Sequence, residues 1–240
     1  KTWYYFENIS RKEEIDLEYL QNFEKKYNIN LWELAINERI FYNYNHFHNF
    51  SDEEILSILT QECKLFESIL DEAKPDFFLT KQLSQHKDSL FYKICKARGI
   101  KVIILSQPKF AYHATLSSES QKFDTTDRLS DFQIEGKSFG ELRDVLKSYD
   151  GYKQVNNAGM NFAASNTKKI KAAIDFLLLS KNTNLKTHYT YFGRSKFRVL
   201  KHELTASLKK RMREKFIDKH FLKNINGKEK FIYFPLGVDE

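Results

Sequence analysis

Asp76-Phe-Phe-Leu-Thr80, then Ser89-Leu-Phe-Tyr-Lys-Ile-Cys-Lys-Ala-Arg98, Gly99 and Lys101-Val-Ile-Ile-Leu105 change hydrophobic period twice within a short stretch of chain. The first run is short and apolar and follows Pro75. The second repeats Leu90, Phe91, Ile94 and Cys95 at helical spacing, and the third is continuous and β-branched. Gly99 stands just past the helical run, where a left-handed residue closes a helix. Strand, helix and strand at this spacing predict parallel strands joined by a right-handed crossover, in an α/β sheet with helices on both faces. The competing reading is a helical protein with two short buried segments.

Outward from this unit the pattern is mostly helical. On the N-terminal side Ile15, Tyr19, Leu20, Phe23 and Tyr27 recur every three to four residues, followed by Leu31, Leu34 and Glu38. Ser51 with Glu54 forms a capping-box signature, so a long helix should start there and carry Ile55, Leu59, Cys63, Phe66, Ile69 and Leu70 inward until Pro75 stops it. On the C-terminal side residues 106–136 are polar and aperiodic, which predicts a long functional or partner-ordered loop. Ser138 with Glu141 opens a further helix through Tyr149, and Asn166 or Thr167 opens another through Ser180. Lys230-Phe-Ile-Tyr-Phe234, ahead of Pro235, reads as the first strand of a new sheet.

The whole chain has 240 residues, 41% of them hydrophobic and 30% charged, which suits a globular protein with a substantial core. No segment reaches the roughly 20 apolar residues of a membrane-spanning helix. Its 8 glycines fall into neither dinucleotide nor Walker spacing, so phosphate-loop hydrolysis is not expected. Cys63 and Cys95 lie at apolar positions of helical runs with no second pair, and they read as reduced core thiols of a cytoplasmic protein. No signal-peptide pattern is visible. The chain starts within an aromatic run and stops after an apolar one, and we read it as a portion of something longer.

The formal charge of +7 is unevenly placed. Residues 181–230 hold 15 Lys/Arg against 4 Asp/Glu, leaving 24 basic and 28 acidic residues elsewhere. Within that region Phe197, Leu200, Leu204, Leu208, Met212 and Phe216 keep helical spacing among Lys209, Lys210, Arg211, Arg213 and Lys215, predicting a long basic amphipathic helix. Such a helix either packs with a solvated basic face or binds an anionic membrane surface or nucleic acid through residues 196–223. Nucleic acid is the less favoured partner.

Ligands of open parallel sheets bind outside the carboxyl ends of the strands. Two loops qualify here, Thr80 to His86 and Ser106 to His113, and they offer His86, Lys81, Gln107, Lys109, Tyr112 and His113 as substrate-binding candidates. Their alternative is a set of ordinary solvated loop residues. His46 and His48 share one side of an extended segment, but no further ligand cluster accompanies them, and no metal site is assigned.

Phe231-Ile-Tyr-Phe-Pro-Leu236 resembles the F-P-L-H-x-x-P-E segment of surface and capsular polysaccharide biosynthesis proteins, a family with the two-domain glycosyltransferase fold called GT-B. Leu31-Trp-Glu-Leu34 with Glu38-Arg39, Lys74-Pro-Asp-Phe77, Ala97-Arg-Gly-Ile100 and His188-Tyr-Thr-Tyr-Phe192 fit the same resemblance, which spans most of the chain. It implies a Rossmann-like, helix-rich, acceptor-side domain over residues 1–195, a linking helix over 196–229 and the first strand of the second domain over 230–240. It further implies transfer of sugar from a nucleotide-sugar donor to a glycan or lipid-linked acceptor. The donor domain would lie beyond this segment, which would be inactive alone and carry no cofactor of its own, and the enzyme would work in the cytoplasm or at the inner face of the membrane. Phe110 and Tyr112 would stack on sugar rings while Lys109 and His86 meet hydroxyls or carboxylates of the acceptor, in a shared cleft. Gly237 replaces the family's histidine and Glu240 its proline, so no catalytic role is assigned.

Overall fold

In the computed structural model of the chain, the described residues are 1–9, 15–42, 45–81, 83–106, 114–120, 122, 124, 136, 138–148, 166–180 and 188–220. The chain divides into two units, Lys1–Ser195 and Lys196–Glu240.

Helix termini in the first unit follow the polar residues that cap them. Helix α1 (Leu17–Tyr27) begins on Asp16, whose carboxylate accepts the Tyr19 N–H at 2.9 Å. Helix α2 (Leu31–Ile36) begins on Asn30, which accepts the Glu33 N–H at 2.9 Å, and a short α3 (Arg39–Tyr42) follows. Helix α4 (Asp52–Ala73) opens on the capping box predicted at Ser51 and Glu54. It ends with Lys74 in the left-handed region, directly before Pro75.

Helix α4 buries Ile55, Ile58, Leu59, Cys63, Phe66 and Leu70 in the core. Full burial of a large apolar side chain is worth about 1.5–3 kcal/mol, so this one helix supplies much of the hydrophobic stabilisation. Helix α1 is fastened to it by Glu67, which accepts the hydroxyls of Tyr19 and Tyr27, each at 2.7 Å, and pairs with Lys26 at 2.6 Å.

Strand β1 (Phe77–Lys81), helix α5 (His86–Ala97) and strand β2 (Lys101–Ser106) form the strand–helix–strand unit. The strands pair in parallel, with Leu79 opposite Ile103. Gly99, at φ +72°, donates its N–H to Lys96 while Ile100 donates to Cys95, a Schellman closure that the glycine makes free of strain. Helix α5 starts at His86 rather than at the predicted Ser89.

A third strand, β3 (Thr115–Ser117), runs antiparallel to β2 and completes the sheet order β1-β2-β3. The described fold is therefore helix-rich mixed α/β with a small mixed sheet, and the all-parallel sheet expected from the sequence is corrected by β3. That strand falls within the stretch expected to be loop, because three residues are too few to display a period of two.

One face of the sheet, with Phe78, Val102 and Ile104, packs into the helical core. Phe77 and Leu79 (58% and 60% exposed), Leu105 and Leu116 form the opposite face, so helices cover one face of the sheet among the described residues instead of both. Helices α6 (Phe139–Ser148) and α7 (Asn166–Leu178) lie near their predicted positions. A short 3-10 turn, Tyr189–Tyr191, leads to Gly193, and the expected strand at 230–234 lies outside the described residues.

The second unit contains α8 (Lys196–His220), exposed at every residue from 203 to 220. Its apolar positions Leu200, Leu204, Leu208, Met212 and Phe216 repeat every four residues. A helix turns every 3.6 residues, so each step drifts by about 40°. The apolar line therefore winds around the helix and makes no single apolar face, which corrects the amphipathic reading.

Candidate functional site

Among the proposed site residues, His86 is the one whose surroundings differ most from expectation. Instead of lining an open loop it is the first residue of α5 and 4% exposed. Its Nδ1 lies 2.6 Å from Glu38 Oε2, and the same oxygen accepts the His86 backbone N–H at 2.8 Å. Its Nε2 lies 2.8 Å from Glu62 Oε1. Glu62 also accepts the Tyr5 hydroxyl, which stands 3.2 Å from that of Tyr189. A carboxylate at each ring nitrogen requires both nitrogens to donate, which is the imidazolium form.

Burial disfavours that charge, but the attraction of Glu62 and hydrogen bonds to both carboxylates outweigh it and raise the His86 pKa to about 9. Burial also pushes Glu38 upward, yet the hydrogen bonds from the His86 ring and backbone hold it below its ordinary value. Burial, reinforced by the Glu62 charge, drives Tyr5 and Tyr189 well above theirs. The two carboxylates meet opposite ends of the ring and do not converge, and no group of three metal-ligating side chains occurs among the described residues. This cluster ties the turn ahead of α3, helix α4 and the first turn of α5 together.

Above that turn is a cleft of about 390 Å³, lined by Phe6, Ile40, Gln85, Lys87, His188, Thr190, Tyr191 and Arg194. Helix α5 begins at the carboxyl edge of β1, so the cleft occupies the side of the sheet where ligands were expected. Its wall is a ladder of rings and cations. The Lys87 ammonium sits 4.6 Å from the Phe6 ring centre, Phe6 stacks on His188 at 4.4 Å, His188 meets Tyr191 at 5.8 Å, and the Arg194 guanidinium lies 5.6 Å from Tyr191. Arg194 also lies 5.3 Å from Phe47, and its buried Nε has no hydrogen-bond partner.

Gly193 positions this wall. Its φ is +74°, and a Cβ there would lie 2.7 Å from the carbonyl carbon of Phe47 and closer still to its oxygen. Only a glycine allows the segment carrying Tyr189 and Arg194 to approach the Phe47 backbone. A second cavity of about 300 Å³, mostly apolar and including Trp3, Phe66 and Phe91, borders the far side of Lys87.

Lys81 is exposed at the end of β1. Gln107, Lys109, Tyr112 and His113, with Phe110, lie outside the described residues, and so does the shared cleft expected between His86 and Lys109. His48 bonds Glu54 at 2.8 Å and packs edge-on against Phe192. Sequence reading missed Glu62, Lys87 and Arg194. Glu62 had a usable signal, since it falls on the inward spacing Ile55, Leu59, Glu62, Phe66 of α4, where an acid needs a buried partner.

No protein-family model, curated protein or solved structure matches the chain.

Proposed function

We propose that this chain is the acceptor-side portion of a glycosyltransferase of surface or capsular polysaccharide biosynthesis, moving sugar from a nucleotide-sugar donor to a glycan or lipid-linked acceptor. In this reading residues 1–195 are the Rossmann-like first half of a GT-B fold, working in the cytoplasm or at the inner membrane face. The observation that carries it is the cleft at the start of α5, where aromatic rings alternate with cations beside the carboxyl edge of a parallel strand pair. Aromatic faces suit sugar rings, and cations suit anionic substituents. A GT-B enzyme stabilises its diphosphate leaving group largely from the second domain, which agrees with the lack of glycine-rich phosphate loops in this sequence.

The test is nucleotide release by the longer protein carrying the donor domain, supplied with UDP-, GDP- or CMP-sugars and a lipid-linked glycan. Transfer is expected there and none from residues 1–240. Tight binding of a nucleotide sugar by the 240-residue chain alone would refute the domain assignment.

A second reading rests on α8, whose cluster Lys209, Lys210, Arg211, Arg213 and Lys215 is fully exposed. It makes the chain a non-catalytic basic module for anionic membranes or nucleic acid. Titration with anionic vesicles and with labelled RNA at two salt concentrations separates these, because phosphate-driven binding weakens steeply with salt. A flat, weak response to both removes this reading.

A further inference from the structure

We infer that the cleft between Lys87 and Arg194 is a binding site for a sugar bearing a negatively charged group, a phosphate or a carboxylate. The inference rests on the glycosyl-transfer reading for its role, but its chemistry stands on the cleft itself. Eight side chains line the cavity and none of them is acidic, whereas Lys87 and Arg194 bring two positive charges. Lys87 makes no ion pair with a described carboxylate; its ammonium rests over Tyr5 at 4.5 Å and Phe6 at 4.6 Å. Arg194 is likewise seated over rings, and its buried Nε–H lacks an acceptor. An oxyanion in the cleft would give the two cations the charged partner that no residue of its lining supplies.

The neighbouring acids do not supply the missing acceptor. Glu38 and Glu62 are turned to His86, and Glu62 also holds the Tyr5 hydroxyl. Asp88 lines the other cavity.

The rest of the cleft fits the sugar. Tyr191 is 41% exposed and offers a ring face between the two cations, with His188, Thr190 and Gln85 present as hydrogen-bonding groups. A volume of about 390 Å³ is at the small end for ligand sites and suits one sugar unit rather than a chain.

Isothermal titration of the 240-residue chain tests this, with glucose 1-phosphate, glucuronate, glucose and inorganic phosphate as probes. At least one charged sugar is expected to bind tenfold or more tighter than glucose, and which one distinguishes phosphate from carboxylate as the recognised group. Arg194→Gln and Lys87→Gln should each weaken that binding about tenfold. Tyr191→Ala should weaken the charged sugar while leaving inorganic phosphate unchanged. Thermal unfolding confirms that each variant is folded, and because the three substitutions are at partly exposed positions, at least one is expected to retain the parent midpoint. Equal binding of charged and neutral sugars, or parent-like binding by folded Arg194→Gln, overturns the inference. Inorganic phosphate binding as tightly as the sugar phosphate overturns its sugar component. Donor is absent from every arm, so charged-sugar binding without transfer by the longer protein would remove the proposed function and leave the site. Transfer without charged-sugar binding would do the reverse.

Discussion

Replacing His86 with glutamine removes the positive charge between two buried carboxylates and gives a pH-dependent loss of stability. The magnitude follows from the raised pKa. His86 titrates near 9 in the folded chain against an ordinary 6.5, and that difference corresponds to about 3 kcal/mol. A group whose folded pKa is raised contributes its full stabilisation below the unfolded value and loses it as pH rises through the folded one. The parent is therefore expected to lose about 3 kcal/mol between roughly pH 6 and pH 10 from this group alone. His86→Gln lacks that component, so the gap between the two should be widest near pH 6 and close toward pH 10. Glu38 acts with the opposite sign: held low in the fold, it contributes above the ordinary carboxylate range and stops contributing as pH falls through its folded value. Urea unfolding of parent and variant across this range, with m-values compared, is the assay. Parallel stability–pH curves for the two proteins between pH 6.5 and 9 would refute the charged His86 assignment.

Two further outcomes are expected. Gly193→Ala should destabilise the first unit by more than Gly99→Ala, because both residues have positive φ but an added methyl at Gly193 meets the Phe47 carbonyl while at Gly99 it meets nothing within 4 Å. Left-handed strain alone costs about 1–2 kcal/mol, so chemical unfolding should place Gly99→Ala there and Gly193→Ala beyond it; equal losses would refute the close-approach argument. Cys63 and Cys95 are buried, and burial pushes Cys95 up to about 11 and Cys63 higher still, so a thiol reagent at pH 8 should label them only on unfolding. Rapid labelling of the folded chain would show that the core opens locally.

The parts of the fold that announce themselves locally were legible in the sequence. Ser51 and Glu54, Pro75 and Gly99 act through the backbone of their immediate neighbours, and the period change from Phe77 to Leu105 needs no distant partner to be read. The sheet's third strand was not legible, because Thr115–Ser117 is defined by pairing with β2 and not by its own pattern. The site was legible only in position. The cleft lies beside the carboxyl edge of β1, but the residues that line it come from the first turn of α5 and from a segment about a hundred residues later, a juxtaposition that no spacing rule encodes. The sequence pattern places His86 in a loop, whereas it is a buried helix residue. Its burial follows from Glu38, in the turn ahead of α3, and Glu62 on α4, and the visible warning is that Glu62 occupies an otherwise apolar helical register.

The contact between Tyr5 and Tyr189 spans 184 residues of chain. Phe6 and His188 stack beside it, so the cleft is walled by the beginning and the end of the first unit. During synthesis α1, α4 and the β1–α5–β2 unit can form as soon as their own residues emerge, whereas the cleft must wait until the segment through Arg194 has been made. Chain growth runs at about 5–20 residues per second, which leaves a nascent protein for several seconds with most of its core and an unfinished cleft. The N-terminal aromatic segment already has partners on α4 and α5 in that interval, but the faces of Tyr5 and Phe6 that meet Tyr189 and His188 stay uncovered until those residues are made.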